Sequence, residues 1–170
     1  MVRFHVEALG QVGLLARERW EEVTMQTSNE ENKNVLRRFW EAMNTRQLGL
    51  LDDILTSDAI RHCQATPDLN IRSCEQFKEF CRQDTTIFPD SLQTITYLLA
   101  EGNFVAVWAA YEGTQMGQMG PFPPSGRKVR FDFEAVFRVE NRKIAEWWVT
   151  WDNMAILAQL GHLSVPSNEE

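Results

Sequence analysis

The stretch Lys143–Gly161, KIAEWWVTWDNMAILAQLG, decides the fold. Ile144, Trp147, Trp148, Val149, Thr150 and Trp151 are the β-branched and aromatic residues that suit a pleated, half-buried surface. The run ends at Asp152 and turns directly into a short apolar helix. On a period of two, Glu146, Trp148, Thr150 and Asp152 share one face, and Ala145, Trp147, Val149 and Trp151 share the other. An acid closing an aromatic strand is a candidate for chemistry in an apolar pocket. It is also a good helix N-cap. The two readings stand side by side.

Upstream, the same period of two continues. Val129–Val139 alternates with Phe131, Phe133, Ala135 and Phe137 on one side, and Glu140-Asn141-Arg142 turns it into the tryptophan strand. Leu92–Glu101 and Phe104–Gly113 pair as a hairpin across Gly102-Asn103, residues that tolerate positive φ. Between hairpin and phenylalanine strand lies GTQMGQMGPFPPSGR, a loop dense in Gly and Pro and of a length that is usually functional. Met116 and Met119 belong to it and suit a pocket mouth or lid, since methionine adapts to irregular surfaces.

Before Pro89 the period is helical. Val35, Leu36, Phe39, Trp40 and Met43 form a broad apolar stripe on a helix that Ser28 or Asn29 can cap. Leu48–Leu55 predicts a second short helix, and Asp58–Cys63 an extended piece holding His62. Ser73 opens a third helix carrying Phe77, Phe80, Cys81 and Asp84, which stops before Phe88-Pro89 because a residue preceding proline is driven out of helical space. Residues 1–28 read as an N-terminal extension whose stripe of Val6, Leu9, Val12 and Leu15 is interrupted by Gly10 and Gly13. Residues 29–163 form one domain, and 164–170 a tail. Three helices followed by a curved antiparallel sheet and a closing helix make an α+β plan, with helices on the concave side leaving a cone-shaped apolar cavity of the kind that binds ligands.

Composition narrows the function. The chain has 170 residues, 44% apolar, with six Trp and ten Phe to bury. A net charge of -7 without a basic run argues against nucleic acid and anionic membrane, and no run is long enough to span a bilayer. Cys63, Cys74 and Cys81 are odd in number and lack metal or redox spacing, which predicts buried free thiols in the cytoplasm. The histidines are too scattered to predict a metal site, and no phosphate loop or dinucleotide motif predicts a cofactor.

Four pieces together carry a resemblance: FPDSLQTITYLLAEGNFVAVWAAYEGTQMG, PFPPSGRKVRF, FRVENRKIAEWWVTWDNMAILAQLG and the opening RFWEAMNTRQLGLLDDILTSDAIRH. Over Asn32–Leu163 the chain resembles the SnoaL-like polyketide cyclase family of the nuclear-transport-factor-2-like superfamily. The resemblance implies a cone-shaped α+β fold and a cofactor-free enzyme that closes a ring by aldol addition, or isomerises, a small hydrophobic carbonyl compound. It places Asp152 on the family's general acid/base and His62 on the histidine after the second helix. Trp40 falls near a pocket-lining aromatic position. Gln115 stands where the family has a histidine after Gly-Thr, and can orient a carbonyl but not titrate. Arg142 stands where the family's turn has Gly.

Each residue also has a structural reading. His62 can be a satisfied surface donor. Phe88, Trp148, Phe131, Phe133 and Trp40 can be core rather than pocket wall, and parity alone does not say which face of the last strands is concave. If Trp147, Val149 and Trp151 face outward, a second subunit is their natural cover, which predicts a homodimer through the outer sheet surface. The same cone also accommodates a non-catalytic binder of a small hydrophobic molecule or a dimeric interaction module.

Overall fold

A helix of 42 residues, α1 (Arg3–Asn44), opens the computed structural model, which describes residues 3–163. Within α1 the side chains of residues 3–16, 18, 20 and 23 lie outside that description, and so does the stripe of Val6, Leu9, Val12 and Leu15. The 164–170 tail is also outside it. Ser28 and Asn29 do not begin a helix; the backbone is already helical there. Polar caps act only where the preceding residues leave helical space. Here Glu30 instead pairs with Lys33 one turn on, as residues on a continuous helix surface do. The predicted stripe is present: Val35, Leu36, Phe39 and Trp40 are buried.

A 3₁₀ turn (Leu48–Leu50) and one α-turn, α2 (Leu51–Ile54), replace the single short helix, with Leu51 and Ile54 buried. Strand β1 (Leu55–Cys63) follows at once. Ser73 caps α3 (Cys74–Ile87) by accepting from the Gln76 amide at 3.2 Å, and the helix ends before Phe88-Pro89 as its sequence dictates. The antiparallel strands β2 (Leu92–Glu101), β3 (Phe104–Thr114), β4 (Lys128–Glu140) and β5 (Lys143–Trp151) then run as a meander. Its turns use positive φ at Gly102 (58°) and at Asn141 and Arg142 (50° and 62°). The last helix, α4 (Asn153–Leu160), ends on Gly161 in the left-handed conformation.

The sheet order is β1-β5-β4-β3-β2, and the sheet is curled without closing. One expectation changes. β1 pairs with β5 in parallel, so the sheet is mixed rather than wholly antiparallel, and the tryptophan strand lies between β1 and β4. A parallel neighbour needs a long crossover, and the whole β2–β4 meander with α3 supplies it.

The faces of β5 are also settled. Ala145 and Trp147 are buried and Val149 and Trp151 half-buried, packed with the phenylalanine face of β4 against α1 and α3. Trp148 stands 41% exposed on the convex side. The assignment of Trp147, Val149 and Trp151 to an outer, partner-covered surface is therefore reversed. Aromatic rings on the inward parity fill the space under the helices, and the polar Glu146 and Thr150 share Trp148's side.

Candidate functional site

Burial under the helices is graded. At one end Phe39, Phe77, Phe137 and Trp147 are almost fully buried and interlock, with ring centroids 5.0 Å apart for Phe77–Trp147 and 5.6 Å for Phe39–Phe77. Trp40 stacks parallel on Phe133 in the middle at 6.4 Å. Its indole Nε1 is buried without a hydrogen-bond partner among the described residues. Towards the other end Phe80, Ile87, Met119, Phe131, Val149 and Trp151 face the same interior yet are only half-buried.

Charged groups sit at that looser end. Asp84 lies one turn after Phe80 on the inward stripe of α3. Both its carboxylate oxygens are 3.1 Å from the Tyr111 hydroxyl, which donates to them. Burial pushes the Asp84 carboxyl up to about 6, against the opposing effects of the Tyr111 hydrogen bond and the Arg46 charge. Burial first, and Asp84 next, push the Tyr111 phenol above its ordinary range. Arg46 donates to the Ser91 carbonyl at 2.7 Å and hydroxyl at 3.1 Å, which fixes the cation beside this pair.

Arg61 projects from the inward parity of β1, with Ala59 and Cys63, and is 6% exposed. Its guanidinium carbon is 4.8 Å from the Phe80 ring centroid and 5.5 Å from that of Trp151. Tyr111 and Phe131 stack at 5.0 Å, and Phe131 meets Trp151 at 6.3 Å. Asp84, Tyr111, Phe131, Trp151, Arg61 and Phe80 thus form a circuit in which each touches or lies one helical turn from the next. The arrangement brings one carboxyl and one guanidinium to the same set of half-buried aromatic side chains; on the Met43 and Arg46 side of Asp84 the enclosed space is only about 10 Å³. Among the described residues no three His, Cys, Asp or Glu side chains converge as metal ligands.

The residues singled out from sequence are distributed between four places. Trp40, Phe131 and Phe133 line the interior, and Phe88 packs edge-on against Tyr111 at 5.7 Å. His62 and Trp148 come together, but on the convex face, with rings stacked at 5.2 Å and His62 Nε2 2.8 Å from Glu146 Oε1. The β1–β5 register sets His62 directly beside Trp148, so one parity carries both outward. Gln115 is fully buried and spends its amide inside the loop. Its Nε2 donates to the carbonyls of Gly117 and Pro123, and its Oε1 is 2.7 Å from His162 Nε2. Met116 is 58% exposed.

Asp152 is exposed and caps α4, accepting from the amides of Met154 at 2.8 Å and Ala155 at 3.1 Å. Asn153 does not take over the cap; it bonds Trp151 Nε1 and the Ala65 carbonyl. A separate polar groove of about 460 Å³ lies between α2, β1 and the β4–β5 turn, bordered by Asp52, Glu75, Glu140 and Lys143. None of the residues singled out from sequence borders it.

Asp84, Tyr111 and Arg61 were not singled out, although the signals were present. Asp84 shares helical spacing with Phe77, Phe80 and Cys81, and an acid on an apolar stripe is out of place unless it serves the interior. Tyr111 keeps the parity of Val105, Val107 and Ala109, all buried.

The chain matches the SnoaL-like polyketide cyclase family over residues 33–160. Among solved structures it is similar to IdmH, a candidate polyketide cyclase from Streptomyces antibioticus, at 27% identity and TM-score 0.69, over 76% of this chain and 98% of that one. It is also similar to AclR, a candidate hydroxylase from Streptomyces galilaeus, at 22% identity and TM-score 0.71, over 82% and 87%. A candidate SnoaL-like polyketide cyclase from Jannaschia shares 18% identity at TM-score 0.72, over 81% and 96%. No curated protein matches the sequence significantly. With three-quarters of its length inside the family match, and with a curled five-stranded sheet under helices, the chain belongs to the SnoaL-like polyketide cyclases of the nuclear-transport-factor-2-like fold.

Proposed function

We propose that this protein is an acid/base enzyme of polyketide cyclase type, acting on a small hydrophobic carbonyl compound among the half-buried aromatic side chains around Asp84. One observation carries the reading: a carboxyl with its pKa raised to about 6, hydrogen-bonded to a tyrosine hydroxyl, at the looser end of an aromatic interior. Raised carboxyls in apolar surroundings suit proton transfer near neutral pH. Asp84 takes a proton from the carbon next to a carbonyl, while Tyr111 fixes the orientation of the carboxylate. The enolate then attacks a second carbonyl carbon, forming the new C–C bond, and the Asp84 acid returns its proton to the resulting alkoxide. In an isomerisation the proton returns to a different carbon instead.

The family resemblance gives the acid/base role to Asp152 with His62, which makes Asp152 the competing assignment. Its capping bonds and exposure favour, in turn, a second reading as a non-catalytic binder of a small hydrophobic molecule. Solvent deuterium uptake into enolisable aryl ketones such as 1-tetralone, followed by NMR, separates the three. Wild-type protein should accelerate uptake, Asp84→Asn should lose roughly 10²–10⁴-fold, the usual worth of a general base, and Asp152→Asn should stay within about threefold. The reverse ranking would move the chemistry to Asp152. Tryptophan quenching by a panel of such ketones without any exchange would leave a binder.

We further infer a homodimer through the convex face of the sheet, where Trp148, Val136, Trp108, Leu99 and Tyr97 are exposed. A reducing, cytoplasmic setting suits the three free thiols. No described helix is long and apolar enough to cross a membrane.

A further inference from the structure

The two most buried cations of the described chain are treated very differently. Lys78, 6% exposed, reaches two carboxylates, Asp52 at 2.6 Å and Glu75 at 2.7 Å. Arg61, equally buried, reaches none: among the described residues no carboxylate comes within ion-pair distance of it. Its side-chain partners are the Thr66 hydroxyl at 3.3 Å and the Cys63 thiol, and the Cys81 thiol also acts on it. Guanidinium carries five N–H donors and stays charged, and beside a hydroxyl and a thiol it is buried without a carboxylate counter-charge among the described residues. The guanidinium carbon lies over the rings of Phe80 and Trp151, which supply cation–π contact but no anion.

From this we propose that Arg61 is an anion-binding residue, and that the compound held beside Asp84 is a flat aromatic molecule bearing a carboxylate that pairs with its guanidinium. The inference rests on the reading that the interior around Asp84 is the substrate site, and it deepens that reading by naming the substrate class. A planar carboxylate matches the guanidinium fork with two parallel hydrogen bonds. A flat skeleton suits the rings of Phe80, Phe131 and Trp151, whose contacts surround the same space. The arrangement is also polarised: Cys81 feels the charges of Asp84 and Arg61 in opposite senses. An aryl carboxylate would be repelled by Asp84 and attracted by Arg61. It would therefore enter in one orientation, with its neutral, enolisable end towards the base. Arg61 would thus set substrate affinity and orientation, and Asp84 the chemistry.

The test uses a matched pair of probes, 2-naphthoate and its neutral methyl ester, titrated into the full-length protein at pH 7.5 by calorimetry and by tryptophan fluorescence. Wild-type protein should bind the carboxylate at least about tenfold more tightly than the ester, a bidentate charged pair being worth that much or more. In Arg61→Gln the preference should shrink to within about twofold while ester affinity holds, and Arg61→Lys should keep part of it. Should Arg61→Gln fail to fold, Arg61→Met fills the same space without the charge and must likewise abolish the preference. Equal binding of the two probes to wild-type protein would overturn the proposal. So would no binding of 2-naphthoate up to millimolar concentration, or a preference that survives both charge-removing variants. Asp84→Asn should retain the preference. A carboxylate preference without deuterium exchange would therefore sink the acid/base reading and spare the anion site, and exchange without the preference would do the opposite.

Discussion

Asp84 carries a cost that a purely structural residue would not. Its folded pKa of about 6 lies above the ordinary carboxylate value, so between about pH 4 and pH 6 the folded chain holds more protons than the unfolded one. Stability should consequently fall as pH rises through that window, and the full penalty, on the order of 1–3 kcal/mol, should persist above it. Asp84→Asn still accepts from Tyr111 but removes the ionisation. Urea unfolding at pH 8 should find the variant more stable by about that amount, and at pH 4 nearly unchanged. A variant less stable at both pH values would mean that the carboxylate is a favourable partner rather than a strained base. Which residues the sequence disclosed follows from the same physics. Trp40, Phe131 and Phe133 sit inward because period and parity act on any large apolar side chain. His62 and Trp148 went to the convex face because the parity of a strand flanked by aromatics on both sides has no sign until its neighbours are known. Asp84 and Arg61 stayed hidden since a lone charge reads as solvated until burial removes the water.

At the scale of elements, local rules were sufficient wherever an ending is chemically marked. The Ser73 cap, the Phe88-Pro89 stop, and the Gly102-Asn103 and Asn141-Arg142 turns lie where their residue types place them. The N-terminal boundary was not marked, because Ser28, exposed, and Asn29, half-buried, are both tolerated within a helix that passes straight through them. Gly10 and Gly13 cost α1 about 1 kcal/mol each without ending it. The described side chains from Arg17 to Ser28 are all exposed, and the contacts of α1 with the sheet include Glu31, which accepts from Arg142 at 3.2 Å, and Asn32, which donates to the Gly102 carbonyl. Removal of residues 1–24 should therefore lower stability by less than about 2 kcal/mol, the scale of burying one large side chain, as read from denaturant midpoints. A larger loss would place that segment in the core. The long loop is held differently. Met116 and Gly117 amides donate to the Ile87 carbonyl at the end of α3, and a Cβ at Gly117 would lie 2.5 Å from the Thr86 carbonyl oxygen. Gly117→Ala should displace the loop and cost about 1–3 kcal/mol, like other overpacked sites; an unchanged thermal midpoint would show the loop to be loosely docked.

Across the whole molecule, register strings His62, Trp148, Val136, Ala106 and Leu99 into one row over the convex surface, with Trp108 and Tyr97 in the row beside it. Exposed aromatic and aliphatic side chains in continuous rows are uncommon on a monomer. Around them Glu146 is held below its ordinary pKa by the His62 hydrogen bond and by Arg138, so the patch has a charged border ready for pairing. Sedimentation at tens of micromolar should give a dimer, and Leu99→Glu combined with Trp148→Glu should give a folded monomer with unaltered circular dichroism. A wild-type monomer at that concentration would leave the face without a partner of its own kind. The proposed dimer uses the opposite face from the one expected from the sequence: Trp148 is exposed, whereas Trp147 and Trp151 pack inward.

The parallel pairing of β1 with β5 governs when the protein can become itself. Leu55 and Ile144 are partners 89 positions apart, and no nearer strand can take β5's place beside β1. At a ribosomal rate of about 5–20 residues per second, β1 is made roughly 5–18 s before its neighbour exists. Through that interval Ala59 and Arg61 have no sheet to face, and the stripe of Val35, Leu36, Phe39 and Trp40 has no floor to rest on. The β2–β4 meander can zip by local contacts as it emerges, whereas the first third of the chain must wait. Nascent-chain lengths that end before Lys143 should recruit holdase chaperones, and those that expose the tryptophan strand should release them.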